Sequence, residues 1–310
     1  MDFRQFDIGL LVALDALLTE KSVTRAGERL HLSQPATSII LGRLRQYFGD
    51  QLLVPSGRKM VLTPLAQSLV QPVRSCLIQI QHTIASKTEF DPHSSDRKFR
   101  LAASDYVTAL LMPQVMEEVA RHAPRIRFEL IRLDESIDHR LENGDIDFLI
   151  RPSIYTVTAH PKEALFEDSH TCVVWNKNSL IGNKISRSQF RKAGHIEVHF
   201  GHAPAIFEGW FTARYGHLRN IEVVAQGFEA ACRLVKGTNR IATVMSRMAQ
   251  LCAEYLPIRL LRPPFPIPKV THCLQWHRFQ DQDPGHIWLR NILKKAAESL
   301  GPAPRPIQLG

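Results

Sequence analysis

The sequence predicts an α/β protein in two parts: a winged helix-turn-helix at the N-terminus, then a long linker helix leading into a larger domain of alternating strands and helices. Three observations predict it. Two short helical segments meet at a tight turn, the second opening on a capping serine. A stripe of apolar residues near heptad spacing crosses residues 64–87. Beyond residue 98, strand-like and helix-like segments alternate. A chain of 310 residues has room for both parts.

Each element follows from local signals. Ile8, Leu11, Leu14, Leu17 and Leu18 fall near helical spacing, which predicts a helix over 7–19. Ser22 is placed to cap a second helix, Val23–Leu30, with Ala26 and Leu30 inward. His31-Leu32-Ser33-Gln34 turns the chain; Ser33 caps a third helix, and Pro35 sits in its first turn, where a missing N–H costs little. Ala36, Ile40, Leu44 and Phe48 are its expected inward face and Gly49 its stop. Two extended runs, Gln51–Pro55 and Met60–Thr63, flank Ser56-Gly57-Arg58-Lys59 and read as a β-hairpin wing carrying two cations. Leu65, Leu69, Val73, Leu77, Ile80 and Ile84 line one side of the linker helix, as a dimerisation element or as a face packed on its own domain. Pro72 is expected to kink that helix or mark a joint.

Residues 88–98 are polar with Pro and Ser, a hinge composition. Past them the expected strands are Phe99–Ala103, Arg127–Leu133, Asp147–Arg151, Thr171–Trp175, Ile196–Val198, Ile221–Val224, Arg240–Val244 and Thr271–His277. Expected helices include Val107–His122, Ser136–Asn143 and Pro284–Leu300, and the alternation predicts parallel sheets with βαβ crossovers. Arg262–Pro268 is an extended crossing segment, and the proline-rich 301–310 is expected to be a flexible tail.

Composition excludes more than it proves. The net charge of +9 favours anionic partners, yet residues 1–65 carry eight cations against six carboxylates, only +2 of that excess. Bulk charge therefore does not locate a nucleic-acid site. The five cysteines form no CxxC pair and stand at no metal-ligand spacing with histidine, so neither a disulfide framework nor a metal site is expected. Asp2, Asp7 and Asp15 argue against a signal peptide, and no run has the ~18 apolar residues of a membrane span; a cytoplasmic protein is expected. There is no GxSxG, GxGxxG, GxxxxGK[ST] or HExxH, so no enzymatic activity and no cofactor are expected.

The stretch Ser22–Ser38 (SVTRAGERLHLSQPATS) closely resembles the helix-turn-helix signature of LysR-type transcriptional regulators, and the resemblance extends across almost the whole chain. Asn143–Ile150 (NGDIDFLI) is similar to the start of a strand in the effector domain of that family. Asp7–Glu20, Ser104-Asp105-Tyr106, Ala159-His160-Pro161, Gln226-Gly227-Phe228 and Gly237–Thr243 look nearest to the subgroup holding flavonoid-responsive nodulation regulators and regulators of salicylate and chlorinated-aromatic catabolism. The resemblance implies a winged helix-turn-helix over 1–63, a linker helix over 64–87 and a two-lobe effector domain over 99–300, similar to type 2 periplasmic binding proteins. Lobe I would cover about 99–163 and 269–300, and lobe II about 164–268. It also implies a dimer of dimers. Two departures matter: Ile39 and Ile40 stand where many members carry Arg, and Gly27 replaces the second Ala of an Ala-Ala pair.

The site residues follow from this frame. Gln34, Pro35, Thr37 and Ser38 would face bases in the major groove, with Ser33 mainly a cap. Arg58 suits a narrow minor groove or a phosphate; Arg25, Arg43 and Arg45 are weaker phosphate candidates. The effector cleft would be lined at strand ends by Ser104, Asp105, Tyr106, Arg151, Phe200, Gly201, His202, Phe228, Thr238 and Asn239, with Tyr106, Phe200 and Phe228 packing on an aromatic ring. An ordinary structural role stays open for each. The expected function is an activator that binds double-stranded promoter DNA, responds to a small aromatic effector and contacts RNA polymerase. A solute-binding module without specific DNA binding is the alternative.

Overall fold

Asp7, Ser22 and Ser33 decide where the first three helices begin. The computed structural model describes residues 7–57, 59–85 and 90–303, and the chain divides into two compact units, residues 1–87 and 88–310. In the first unit α1 (Ile8–Glu20), α2 (Val23–Leu30) and α3 (Gln34–Phe48) follow one another. Each opens on a side-chain cap: Asp7 accepts from Leu10 N at 2.7 Å, Ser22 from Arg25 N at 3.4 Å, and Ser33 from Ala36 N at 3.4 Å. Lys21 and His31 stop α1 and α2 in left-handed backbone, and Gly49 stops α3.

Leu10, Leu14, Leu17, Ala26, Leu41 and Leu44 form the core of this unit. Asp15, which interrupts the apolar stripe of α1, is buried and paired with Arg29 of α2 at 3.2 Å and with Arg74 at 2.8 Å. The charge is therefore compensated where it lies, as burial demands. Strands β1 (Leu53–Ser56) and β2 (Lys59–Leu62) pair antiparallel with Ser56 opposite Lys59, and Gly57 supplies the positive φ of the turn. Arg58 lies outside the described residues. Helix α4 (Pro64–Ala85), which carries Arg74, runs through Pro72 without a break, and its Ala66, Leu69, Val73 and Leu77 join the core of the same unit.

The second unit has two sheets. The first, in order β4 (Arg127–Ile131), β3 (Lys98–Ala102), β5 (Phe148–Pro152), β13 (Val270–Gln275) and β6 (Lys162–Asp168), carries α5 (Asp105–His122), α6 (Ile137–Glu142) and α11 (Pro284–Glu298). The second runs β10 (Asn220–Ala225), β8 (Gly194–Phe200), β11 (Ile241–Met245), β7 (His170–Trp175) and β12 (Ile258–Leu261), with the short β9 (Ala203–Pro204) against β8. It carries α7 (Arg187–Lys192), α8 (Ile206–Tyr215), α9 (Phe228–Leu234) and α10 (Ser246–Ala253). The chain crosses between lobes at Ser169 and returns between β12 and β13.

Two expectations need correction. The sheets are mixed: β13 is antiparallel to β5 and β6, and β7 is antiparallel to β11 and β12. The two crossing segments each bring a strand back in the opposite direction. The first crossover also lies at Ser169 rather than near 163/164, because Lys162–Asp168 is an edge strand of the first sheet. Its side chains are only half buried, so no apolar run marks it.

Candidate functional sites: an exposed helix face and an inter-lobe cavity

The open face of α3 begins at its cap. Gln34, Pro35, Ser38, Ile39, Gly42 and Arg43 are exposed along it, while Thr37, Leu41 and Leu44 point into the core. Thr37 is therefore not a base-facing residue: it is fully buried and its hydroxyl donates to Ser33 O at 3.0 Å. The inward face is turned by one position from the Ala36–Ile40 frame, which is enough to swap Thr37 inward. Ile39 is 68% exposed and stands beside the polar pair Gln34 and Ser38. Such a face offers an amide for an adenine edge and apolar surface for a thymine methyl.

The cations divide by their bonds. Arg45 donates to Gln51 O at 2.8 Å and Leu53 O at 2.9 Å, so it holds the start of the wing. Arg25 is exposed; its guanidinium pairs with the Glu20 carboxylate at 3.5 Å and donates to Glu20 O at 2.5 Å, solvent-facing contacts that a phosphate can displace. Arg43 is exposed beside Ser38 and Ile39.

In the second unit a cavity of about 350 Å³ lies between the lobes. The first lobe contributes Ser104, Ile137, Asp138, Arg151, Pro152 and His272, and the second contributes Phe200, Ala205, Ile206, Phe228 and Met245. Rings of Phe200 and Phe228 meet edge to face at 5.6 Å, and a third aromatic, Tyr155, lies on the rim. The polar groups cluster on the first lobe. Arg151, buried on β5, is in ion-pair contact with Asp138 of α6, and its Nε is buried without a hydrogen-bond partner. Ser104 Oγ caps α5 by accepting from Val107 N at 3.3 Å.

Of the residues expected there, Ser104, Arg151, Phe200 and Phe228 line the cavity. The others do different work. Asp105 turns across to the second lobe, where its carboxylate accepts from Glu229 N at 3.0 Å at the start of α9; burial pushes its pKa up. Tyr106 is fully buried under the cavity, and its hydroxyl donates to Asp168 Oδ2 at 2.6 Å. Asp168 also accepts from Arg247 N and Ser169 N, so this carboxylate joins the lobes at the crossover. Gly201 and His202 form a turn held by the Glu135 carboxylate. Thr238 and Asn239 precede β11, at the end of the strand away from the cavity, where Asn239 accepts from Ser179 N at 3.1 Å.

The rule that ligands sit at strand C-termini explains the hits and names two residues that sequence reasoning missed. Leu133 follows β4 and Met245 ends β11, and both line the cavity. His272 escaped the rule because β13 runs antiparallel; it sits opposite Pro152 of β5. Nothing in the sequence gave the direction of that strand.

Comparison with known proteins places both units. Residues 8–67 match the model of the bacterial regulatory helix-turn-helix proteins of the lysR family, and residues 93–298 match the LysR substrate binding domain. Nodulation protein D 1 of Rhizobium tropici is 42% identical over 302 residues, covering 97% of this chain and 98% of the relative. Nodulation protein D 1 of Rhizobium meliloti is 40% identical over 304 residues, 97% of this chain and 98% of that one. Among solved structures, a probable transcriptional regulator of Pseudomonas aeruginosa aligns with a TM-score of 0.64 at 26% identity, over 94% of this chain and 97% of the other. Full-length OxyR of the same organism shares the fold, with a TM-score of 0.68 at 18% identity over 94% and 95%. The chain belongs to the LysR family of helix-turn-helix transcriptional regulators.

Proposed function

We propose that this regulator reads double-stranded promoter DNA with the exposed face of α3 and takes a small aromatic effector in its inter-lobe cavity, acting as an activator. The observation that carries the reading is the pairing of a capped helix with an open polar face in one unit and an apolar cavity walled by Phe200 and Phe228 in the other. Gln34 and Ser38 supply base contacts, Pro35 and Ile39 apolar ones, and Arg25, Arg43 and Arg58 the phosphate or groove contacts. The cavity volume falls within the ~300–1,000 Å³ of small-molecule sites. Assembly as a dimer of dimers, which the family resemblance implies, and contact with RNA polymerase complete the proposal. Among the described residues no helix is long and apolar enough to cross a membrane.

A thermal-shift screen of hydroquinone, chlorophenols, salicylate and hydroxyflavones on the full chain tests the effector. A true ligand at one hundred times its dissociation constant adds about 2.7 kcal/mol. The same screen on Ile206→Trp, which fills the cavity, should lose the shift. Stabilisation by non-aromatic acids alone, or a shift that survives Ile206→Trp, sinks the aromatic-effector reading.

A further inference from the structure

We propose that His272 selects the effector: its imidazole holds a hydroxyl of an uncharged aromatic ligand, and this contact disfavours ligands that present a carboxylate instead. The inference rests on the cavity being the effector site. His272 lines that cavity while only 3% exposed, and its Nδ1 is buried with no hydrogen-bond partner. Its ring is held in place, stacked on Phe166 at 4.8 Å with 9° between planes and set edge-on to Tyr106 at 5.5 Å. A rigid, buried ring whose Nδ1 is unpaired recovers that hydrogen bond only from something that enters the cavity.

The charges around it point to a neutral partner. The ionisable groups lining the cavity, apart from Tyr155 and His272 itself, are one guanidinium, Arg151, and two carboxylates, Asp134 and Asp138. Arg151 leaves its Nε free but already carries the Asp138 carboxylate, so a ligand carboxylate meets no cation without a counter-charge. His272 does not supply one. Burial, with repulsion from His170 of β7, takes its pKa down to about 3, and the other groups around it are Tyr106 of α5, the Asp168 that Tyr106 binds on β6, and Arg151 of β5. A neutral imidazole accepts from a hydroxyl and donates to one, whereas a carboxylate offers it acceptance alone. The remaining wall, Leu133, Ile150, Phe200, Phe228 and Met245, is apolar and suits the ring.

The test is calorimetric titration of the full chain with apigenin, with flavone as the same ring system without hydroxyls, with hydroquinone and with salicylate. The expected result is that a hydroxylated probe binds and salicylate does not at the same concentration. His272→Phe should lower the affinity of that probe about tenfold and flavone's by less than threefold; His272→Asn, which keeps a donor and an acceptor, should restore part of the loss. In the wild-type chain, ¹⁵N-histidine spectra should show one ring nitrogen of His272 shifting on saturation, which tests the contact even where His272→Phe does not fold. Equal probe affinity in wild type and His272→Phe, or salicylate binding tighter than the phenols, overturns the role of His272 and leaves the cavity reading standing. A probe that binds equally to Ile206→Trp overturns the cavity reading, and the proposal with it.

Discussion

Gly27 sits inside α2, where helix propensity and packing give opposite signs for Gly27→Ala. Helix propensity alone favours alanine by about 0.8–1 kcal/mol. Packing opposes it. A Cβ on Gly27 would stand 2.8 Å from Thr37 Oγ1 and 2.9 Å from the carbonyl oxygen of Leu32, and the second of these is backbone in the turn that aims α3. Overpacking of this kind costs about 1–3 kcal/mol. Thr37 has little freedom to move, because it is fully buried and its hydroxyl bonds Ser33 O. The net expectation is destabilisation by about 1 kcal/mol. For a domain of this size that lowers Tm by roughly 4–8 °C. Gly42, on the open face of α3 with nothing within 4 Å of its would-be Cβ, is the control: Gly42→Ala should gain the full propensity term. Hydrogen exchange of peptides spanning 23–48 in the full chain reads this unit separately from the effector domain. Thr37→Ala removes the nearer obstacle, so Gly27→Ala with Thr37→Ala should cost less than the sum of the two. If Gly27→Ala slows exchange as much as Gly42→Ala does, the packing argument is wrong.

Three further outcomes follow. Burial lowers the pKa of His170 and His195 to about 4 and of His272 to about 3, while it raises Glu208 to about 7 despite an Arg219 contact of 2.5 Å. The depressed histidines stabilise the fold above pH 6.5 and lose that contribution as pH falls towards 4; Glu208, protonated first in the fold, opposes them. Near pH 5.5 the unfolded chain holds about two more protons from these four groups, so stability should fall by about 2.5 kcal/mol per pH unit on acidification; a flat urea midpoint from pH 7 to 5 contradicts it. Tyr106→Phe should cost about 1–3 kcal/mol by removing a donor from buried Asp168, with no change in effector affinity because Tyr106 lies under the cavity and does not line it; a selective loss of affinity at unchanged urea midpoint reverses that assignment. Asp105→Asn should weaken the tie to Glu229 N and raise exchange at the start of α9, and protection equal to wild type there argues against a link between lobes.

Much of the N-terminal unit was legible because caps are local. Ser22, Ser33 and Gly49 mark helix ends within one residue, and Gly57 marks the wing. Thr37 was not, since a one-position change in helix phase decides burial and the apolar residues of α3 allow both phases. In the effector domain, strand existence was readable wherever a run was buried on both faces, as in β11. Strand direction was not readable. That hid the mixed sheets and His272; the half-buried faces of Lys162–Asp168 hid the edge strand, and Thr238 and Asn239, which precede β11, lie at its N-terminal end, away from the cavity. Asp15 shows the same limit: its partners are Arg29 and Arg74, and the latter is fifty-nine residues away.

The central claim is that the open face of α3 reads the operator. Fluorescence anisotropy with the promoter upstream of the gene, at fixed salt and beside unrelated duplex, tests it most directly. Gln34→Ala should weaken operator binding by about 1–3 kcal/mol and leave unrelated DNA unaffected, whereas Arg43→Ala should weaken both alike. Wild-type operator affinity in Gln34→Ala, Ser38→Ala and the double variant would contradict the claim.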